Sequence, residues 1–306
     1  MRSIVCANSE FGVVCLTTLL ELGAEVAAVF THADDPGDRG WFRSVRELAA
    51  ERGLPVFVDQ RLDTPEWLPR LRAWAPDFLF SFYYRRLLPQ AVLEVAARGA
   101  LNVHGSLLPR YRGRCPTNWV LVNGERETGV TLHYMVARAD AGDVVAQRRV
   151  PIAADDTAIT LYRKQTAAAA AMLREVYPQL CAGTAPRRPM DVAAGSYFGG
   201  RGPADGRIEW QREARQIYDL VRAVTHPYPG AFAEWHGAPL LVWWAQADGD
   251  GGDEAPGTVV GVDHGVLVQT GAGRLRLLRV QAANDDERPA GEWARRVGVA
   301  EGMMLA

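Results

Sequence analysis

Asn102 and His104 stand two residues apart at the end of one apolar run, and Asp140 follows a second, Val130 to Met135. An amide, an imidazole and a carboxylate are the parts needed to move an acyl group onto an amine. An amide N–H can hold the oxyanion that develops on the acyl oxygen, and an imidazole can move the proton. A carboxylate can orient and charge that imidazole. The period of two in a strand puts Asn102 and His104 on one face. Between them and Asp140 runs a basic loop with Pro109, Arg110, Tyr111, Arg112, Gly113 and Arg114. Asp143 competes with Asp140 within ARADAGD, since either can be a solvated turn acid. Arg114 precedes Cys115-Pro116, where a proline at the first helical position opens a helix toward Asn123. An arginine beside a helix start suits an anion or a carbonyl.

The segment NVHGSLLPRYRGR, followed by DAGD, resembles the formyltransferases that use N10-formyltetrahydrofolate. The likeness runs almost end to end, through THADDPGDRG, FSFYYRRL, NWVLVNGERETGVTLH and HPYPGAFAEW. Within the family it is nearest to members that formylate UDP-4-amino-4-deoxy-L-arabinose, a step of lipid A modification in polymyxin resistance. The resemblance makes Asn102 the oxyanion donor, His104 the proton-transfer group and Asp140, not Asp143, its carboxylate partner. It assigns donor contacts to Arg86, Leu87 and Leu88, to Arg114, and to Val136, Ala137, Arg138, Ala139 and Asp140. N10-formyltetrahydrofolate is then the co-substrate, no metal is needed, and a separate decarboxylase is an expected member of the pathway. Two alternatives keep the chemistry and change the acceptor: methionyl-tRNA, or another small amine such as a dTDP-amino sugar. A non-catalytic folate-binding module is a third, disfavoured by the intact Asn102, His104 and Asp140.

These residues need a frame, and the first half of the chain supplies one. Ile4–Cys6, Val26–Phe30, Pro55–Val58, Phe78–Phe82 and Leu101–His104 read as strands; residues 10–22, 41–52, 65–74 and 89–97 read as the helices between them. That alternation predicts an α/β fold, a doubly wound and mostly parallel sheet with ligands outside the carboxyl ends of its strands. No G-x-G-x-x-G occurs, so a nicotinamide or flavin site is not expected. Residues 156–177 read as an Ala-rich helix capped by Asp156 and ended by Pro178. Beyond a Gly-, Pro- and Arg-rich stretch, residues 211–224 read as a helix. Five short strands follow, at 231–235, 239–244, 258–262, 266–269 and 275–280, a pattern of a small β-barrel. The expected division is a catalytic domain over 1–189, a linker over 190–206 and an OB-like domain over 207–306. Trp210, Trp235, Trp243 and Trp244 are expected in the barrel core, and His133 in the core or just behind the site.

Composition bounds the partners. With 306 residues, 48% hydrophobic and 23% charged, the chain reads as an ordinary globular protein with a substantial core. The net charge of −2 supplies no field toward nucleic acid or an anionic membrane, and the arginines are scattered. Charged tRNA is therefore the weaker acceptor. No apolar run reaches the roughly 18 residues of a spanning helix. The four cysteines show no zinc or redox spacing, so a reducing cytoplasm is the expected setting.

Overall fold

Apolar runs in the first half form strands of one seven-stranded sheet. They are β1 (Arg2–Ala7), β2 (Glu25–Thr31), β3 (Val56–Val58), β4 (Phe78–Phe82) and β5 (Ala100–His104). After the short β6 (Arg112–Gly113) come β7 (Glu127–Tyr134) and β8 (Val144–Pro151). The order is β3-β2-β1-β4-β5-β7-β8. Pairs from β3 to β5 are parallel, whereas β5–β7 and β7–β8 are antiparallel. Strands β1, β4 and β5 are buried nearly throughout, as a sheet covered on both faces demands. The structure is a computed structural model that describes residues 1–38 and 40–306. Arg39, within THADDPGDRG, lies outside the described residues.

The connecting helices are α1 (Ser9–Glu21), α2 (Val45–Glu51), α3 (Trp67–Ala73), α4 (Gln90–Leu93), α5 (Pro116–Val122) and α6 (Ala158–Ala182). Helix α2 starts four residues later than the sequence suggests. The Ser44 hydroxyl accepts from Glu47 N (3.3 Å) and caps it there. Helix α6 corrects another expectation, because Pro178 lies inside it and the helix runs on to Ala182. A proline removes one N–H and crowds the carbonyl four residues back. Here buried Val176, Tyr177 and Leu180 hold the last turns in place, with the Tyr177 ring 6.3 Å from that of Phe80.

The chain separates into two units, Met1–Pro116 with Glu127–Pro151 and Tyr162–Gly199, and Thr117–Arg126 with Ile152–Leu161 and Gly200–Ala306. In the first, β9 (Tyr197–Phe198) pairs with β6. The second contains α7 (Ala214–Val224), β10 (Ala231–Trp235), β11 (Ala238–Asp248), β12 (Val259–Val262), β13 (Val266–Gln269), β14 (Arg274–Ala282), β15 (Arg288–Pro289) and α8 (Ala290–Val297). Its antiparallel order is β10-β11-β14-β13-β12, with β15 on β14. The C-terminal tail joins the two margins of that sheet. Val259 N donates to Met303 O (2.8 Å) on one side, and Ala306 N to Glu234 O (3.0 Å) on the other. Backbone pairing therefore closes the sheet into a barrel. Trp210 and Trp243 lie in its core; Trp235 and Trp244 are only half-buried. A bulge at Trp243–Trp244 breaks the strict alternation that would have buried one and exposed its neighbours regularly. Arg222, 1% exposed, is fully partnered: it donates to Asp219 Oδ1 (2.6 Å), Asp156 O (3.0 Å) and Ala153 O (3.3 Å).

Candidate active site

Strand β5 ends at His104, and the chain then folds into a loop over residues 105–111. Side chains hold its carbonyls: buried Gln165 Nε2 donates to Gly105 O (2.7 Å), buried Thr131 Oγ1 to Ser106 O (2.7 Å) and Gln147 Nε2, from the exposed edge of β8, to Leu108 O (2.8 Å). The loop returns so that Tyr111 O accepts from His104 Nε2 (2.8 Å). A carbonyl can only accept, so Nε2 carries a hydrogen and the neutral ring keeps its lone pair on Nδ1. That nitrogen faces Asp140 Oδ1 at 3.5 Å.

Asp140 arrives by an indirect route. Register pairs Leu101 with Tyr134 and His104 with Thr131, so the carboxyl end of β7 lies beside the amino end of β5. The loop after β7 must fold back across the sheet face to bring Asp140 to His104. Gly142 permits this, since a Cβ there would lie 2.0 Å from Tyr134 O. Gly113 serves the same contact from the other side, at φ +98° with its N–H donating to Asp140 Oδ2 (2.9 Å). Asp140 itself has φ +49°, and Tyr111 and Cys115 have +57° and +53°. Left-handed non-glycine residues cost of order 1–3 kcal/mol each and persist where their surroundings dictate them.

His133 completes the group. It lies directly across from Asn102, whose Nδ2 is 3.1 Å from His133 Nε2. His133 Nδ1 donates to Tyr134 O (2.8 Å), which leaves Nε2 as an acceptor and makes the Asn102 amide present its nitrogen. The same Nε2 is 3.5 Å from Asp140 Oδ1. Sequence spacing placed His133 only in the core or behind the site, though the β7 alternation that points His133 inward was its one signal. Cys115 is partly buried and free.

Burial pulls the Asp140 carboxyl upward, but the charge that the His104 and His133 rings carry when protonated and the hydrogen bond from Gly113 N outweigh it. Its pKa is held well below the usual carboxylate range. A depressed carboxylate contributes stability that is present above the unfolded value, about 3.9, and lost as pH falls through the folded one. Asp140→Asn tolerates the left-handed backbone and removes only the charge. It is expected to be less stable than the parent near neutral pH, with the gap narrowing below about pH 4. Denaturant titrations across pH check this; parallel stability curves would refute the ion pair.

Of the expected donor contacts, Arg86, Leu87 and Leu88 line a cavity of about 330 Å³ together with Gln60, Leu62 and Tyr84. Leu87 is 79% exposed. The Arg86 guanidinium is tied to Asp59 O and Gln60 O (both 3.0 Å), which fixes the rim. The Tyr84 hydroxyl is buried without a hydrogen-bond partner. Its ring stacks on His32 (4.5 Å), which bonds Asp59 Oδ1 through Nδ1 (3.1 Å) and accepts from Arg85 N (3.2 Å). Burial pushes the His32 pKa down against the pull of Asp59. Val136, Ala137 and Arg138 are exposed on the loop that carries Asp140, and Ala139 is half-buried there; none lines this cavity. Arg114 is exposed just after β6, its N–H donating to Phe198 O (3.0 Å).

Residues 3–177 match the family model described as formyl transferase, and residues 202–298 match that of the formyl transferase C-terminal domain. The chain belongs to the formyl transferase family. Solved structures with the same fold include an N-formyltransferase from Helicobacter canadensis in complex with folinic acid and dTDP-3-aminofucose. It is 19% identical at a TM-score of 0.69, over 90% of this chain and 99% of that one. WlaRD, a sugar 3N-formyl transferase solved in the presence of dTDP and 5-N-formyl-THF, is 17% identical at 0.69, over 94% and 99%. HypX from Aquifex aeolicus in complex with tetrahydrofolic acid is 22% identical at 0.63, over 96% of this formyl transferase and 46% of HypX. Among the described residues of this formyl transferase, no helix is long and apolar enough to cross a membrane.

Proposed function

We propose that this formyl transferase moves the formyl group of N10-formyltetrahydrofolate onto the amine of a nucleotide-linked amino sugar. The observation that carries the reading is one carboxylate, Asp140, set 3.5 Å from both imidazoles beside the Asn102 amide. The donor supplies a formyl group on nitrogen, already activated for attack. Its ring is assigned to the cavity at Leu62, Leu87 and Leu88, whose lining also includes Tyr84. Asn102 Nδ2 has two hydrogens; one goes to His133, and the other holds the formyl oxygen as charge develops on it. His104 Nδ1, with its lone pair exposed toward Asp140, takes the surplus proton of the attacking amine. Asp140 holds the resulting imidazolium, which then returns the proton to the departing nitrogen.

The sugar class is supported by the two solved N-formyltransferases that hold dTDP or a dTDP-sugar, and by the net charge of −2. UDP-4-amino-4-deoxy-L-arabinose is the first acceptor to test, from the likeness of NVHGSLLPRYRGR and its flanks. Dipeptide-like spread of the arginines gives no phosphate track for tRNA. The protein is to be incubated with N10-formyltetrahydrofolate and UDP- and dTDP-linked amino sugars, beside methionyl-tRNA, with products read by mass spectrometry. Gain of one formyl group on a nucleotide sugar is the expected result. Turnover of methionyl-tRNA without turnover of any nucleotide sugar would overturn the acceptor assignment.

A further inference from the structure

Arg112 is a buried arginine without an anion. It is 6% exposed, and its Nε is buried with no hydrogen-bond partner. Among the described residues its guanidinium meets only the ring of Tyr197, 5.7 Å from the centroid. Arg222 shows what this protein does with a structural buried arginine, giving it a carboxylate at 2.6 Å and two carbonyls. A guanidinium is a permanent cation with five N–H donors, and leaving one desolvated and unpaired is costly. Such a group is stabilised by a ligand that brings the missing charge.

Its place in the fold says which ligand. The peptide between Tyr111 and Arg112 accepts from His104 Nε2 (2.8 Å) and donates to Ser196 O (3.0 Å). The next N–H, that of Gly113, donates to Asp140 Oδ2 (2.9 Å). The backbone of Arg112 is thus fixed between the two groups that handle the proton, beside the position of the reacting amine. Tyr197, 59% exposed on β9, is the surface side chain that covers one face of the guanidinium. In a nucleotide-linked amino sugar the diphosphate is one sugar ring away from the amine. In the donor the carboxylates sit at the far end of the aminobenzoyl-glutamate arm.

We infer that Arg112 is the receptor for the diphosphate of the acceptor, an inference that rests on the acceptor class proposed above. Full-length parent, Arg112→Met and Arg112→Lys are to be titrated calorimetrically with UDP, dTDP, inorganic pyrophosphate and, as donor analogue, 5-formyltetrahydrofolate. Arg112→Met is expected to weaken nucleoside diphosphate and pyrophosphate binding by roughly 10–100-fold, the range for a lost charge-assisted contact, with lysine restoring part of it. Donor-analogue affinity should stay within about twofold, since that ring sits elsewhere. The unliganded Arg112→Met protein should melt at the parent temperature or above, because an unpaired buried charge has been removed. A lower melting temperature with unchanged nucleotide affinity makes Arg112 a structural stem and overturns the inference, as does a loss confined to the donor analogue. A parent protein that binds neither UDP nor dTDP would instead remove the acceptor class itself. Parent binding matched by Arg112→Met would remove only the role of Arg112.

Discussion

His104→Ala is expected to lower turnover by on the order of 10²–10⁴, the usual contribution of a positioned proton-transfer group. The imidazole holds Tyr111 O through Nε2 and faces Asp140 through Nδ1, so alanine removes both an anchor and the proposed base. His104→Gln separates the two. A glutamine amide can donate to the Tyr111 carbonyl and keep the loop closed, but it cannot take a proton. Glutamine should therefore restore the stability lost in alanine, about 0.5–1.5 kcal/mol for one hydrogen bond, without restoring turnover. Affinity for 5-formyltetrahydrofolate, measured by calorimetry, should be unchanged in both variants, since His104 does not line the cavity at Leu87 and Leu88. Near-parental turnover of His104→Gln would sink the proton-transfer role. Asp140→Asn offers an independent readout, because a proton on the imidazole then loses its neighbouring carboxylate. The acid limb of the rate–pH profile is expected to move to lower pH. An upward move would separate Asp140 from that limb.

Much of this geometry was legible before the fold was known. Short apolar and aromatic runs located β4, β10 and β13 to the residue, because each is bounded by glycine, proline or a turn acid. The shared face of Asn102 and His104 followed from the strand period alone. Asp140 needed more. Its strand runs antiparallel to β5, and no local pattern reveals that the following loop folds back over the sheet. Pro178 misled for a related reason, since local propensity stops the helix while buried Tyr177 and Leu180 continue it. The β8 strand carries no legible apolar pattern, because Arg148 and Arg149 interrupt it and pair with Glu175 and Glu127. Arg112 looked like one more basic loop residue. Only its burial beside β9, some 85 residues on in sequence for the Tyr111–Ser196 contact, distinguishes it from Arg110 and Arg114.

Asn102→Ala is expected to reduce turnover by roughly 10²–10³, the loss for one oxyanion donor. The structure adds a condition on how that donor is aimed. An asparagine amide can sit either way round, and here the orientation is set from His133. Its Nδ1 is committed to Tyr134 O, so its Nε2 accepts and selects the Asn102 nitrogen. His133→Phe keeps the ring volume and removes that selection, leaving the amide free to turn its oxygen toward the developing negative charge. A misaimed donor is expected to cost about 10–10² in turnover, as small displacements of a catalytic group do. Substrate KM should barely respond, because the oxyanion exists only beyond the ground state. If His133 acts through Asn102, the Asn102→Ala/His133→Phe double variant should be no slower than Asn102→Ala alone, since two members of one unit do not add. Full multiplication of the two losses would mean that His133 acts on the reaction by another route, of which its 3.5 Å contact with Asp140 is the alternative on the same face.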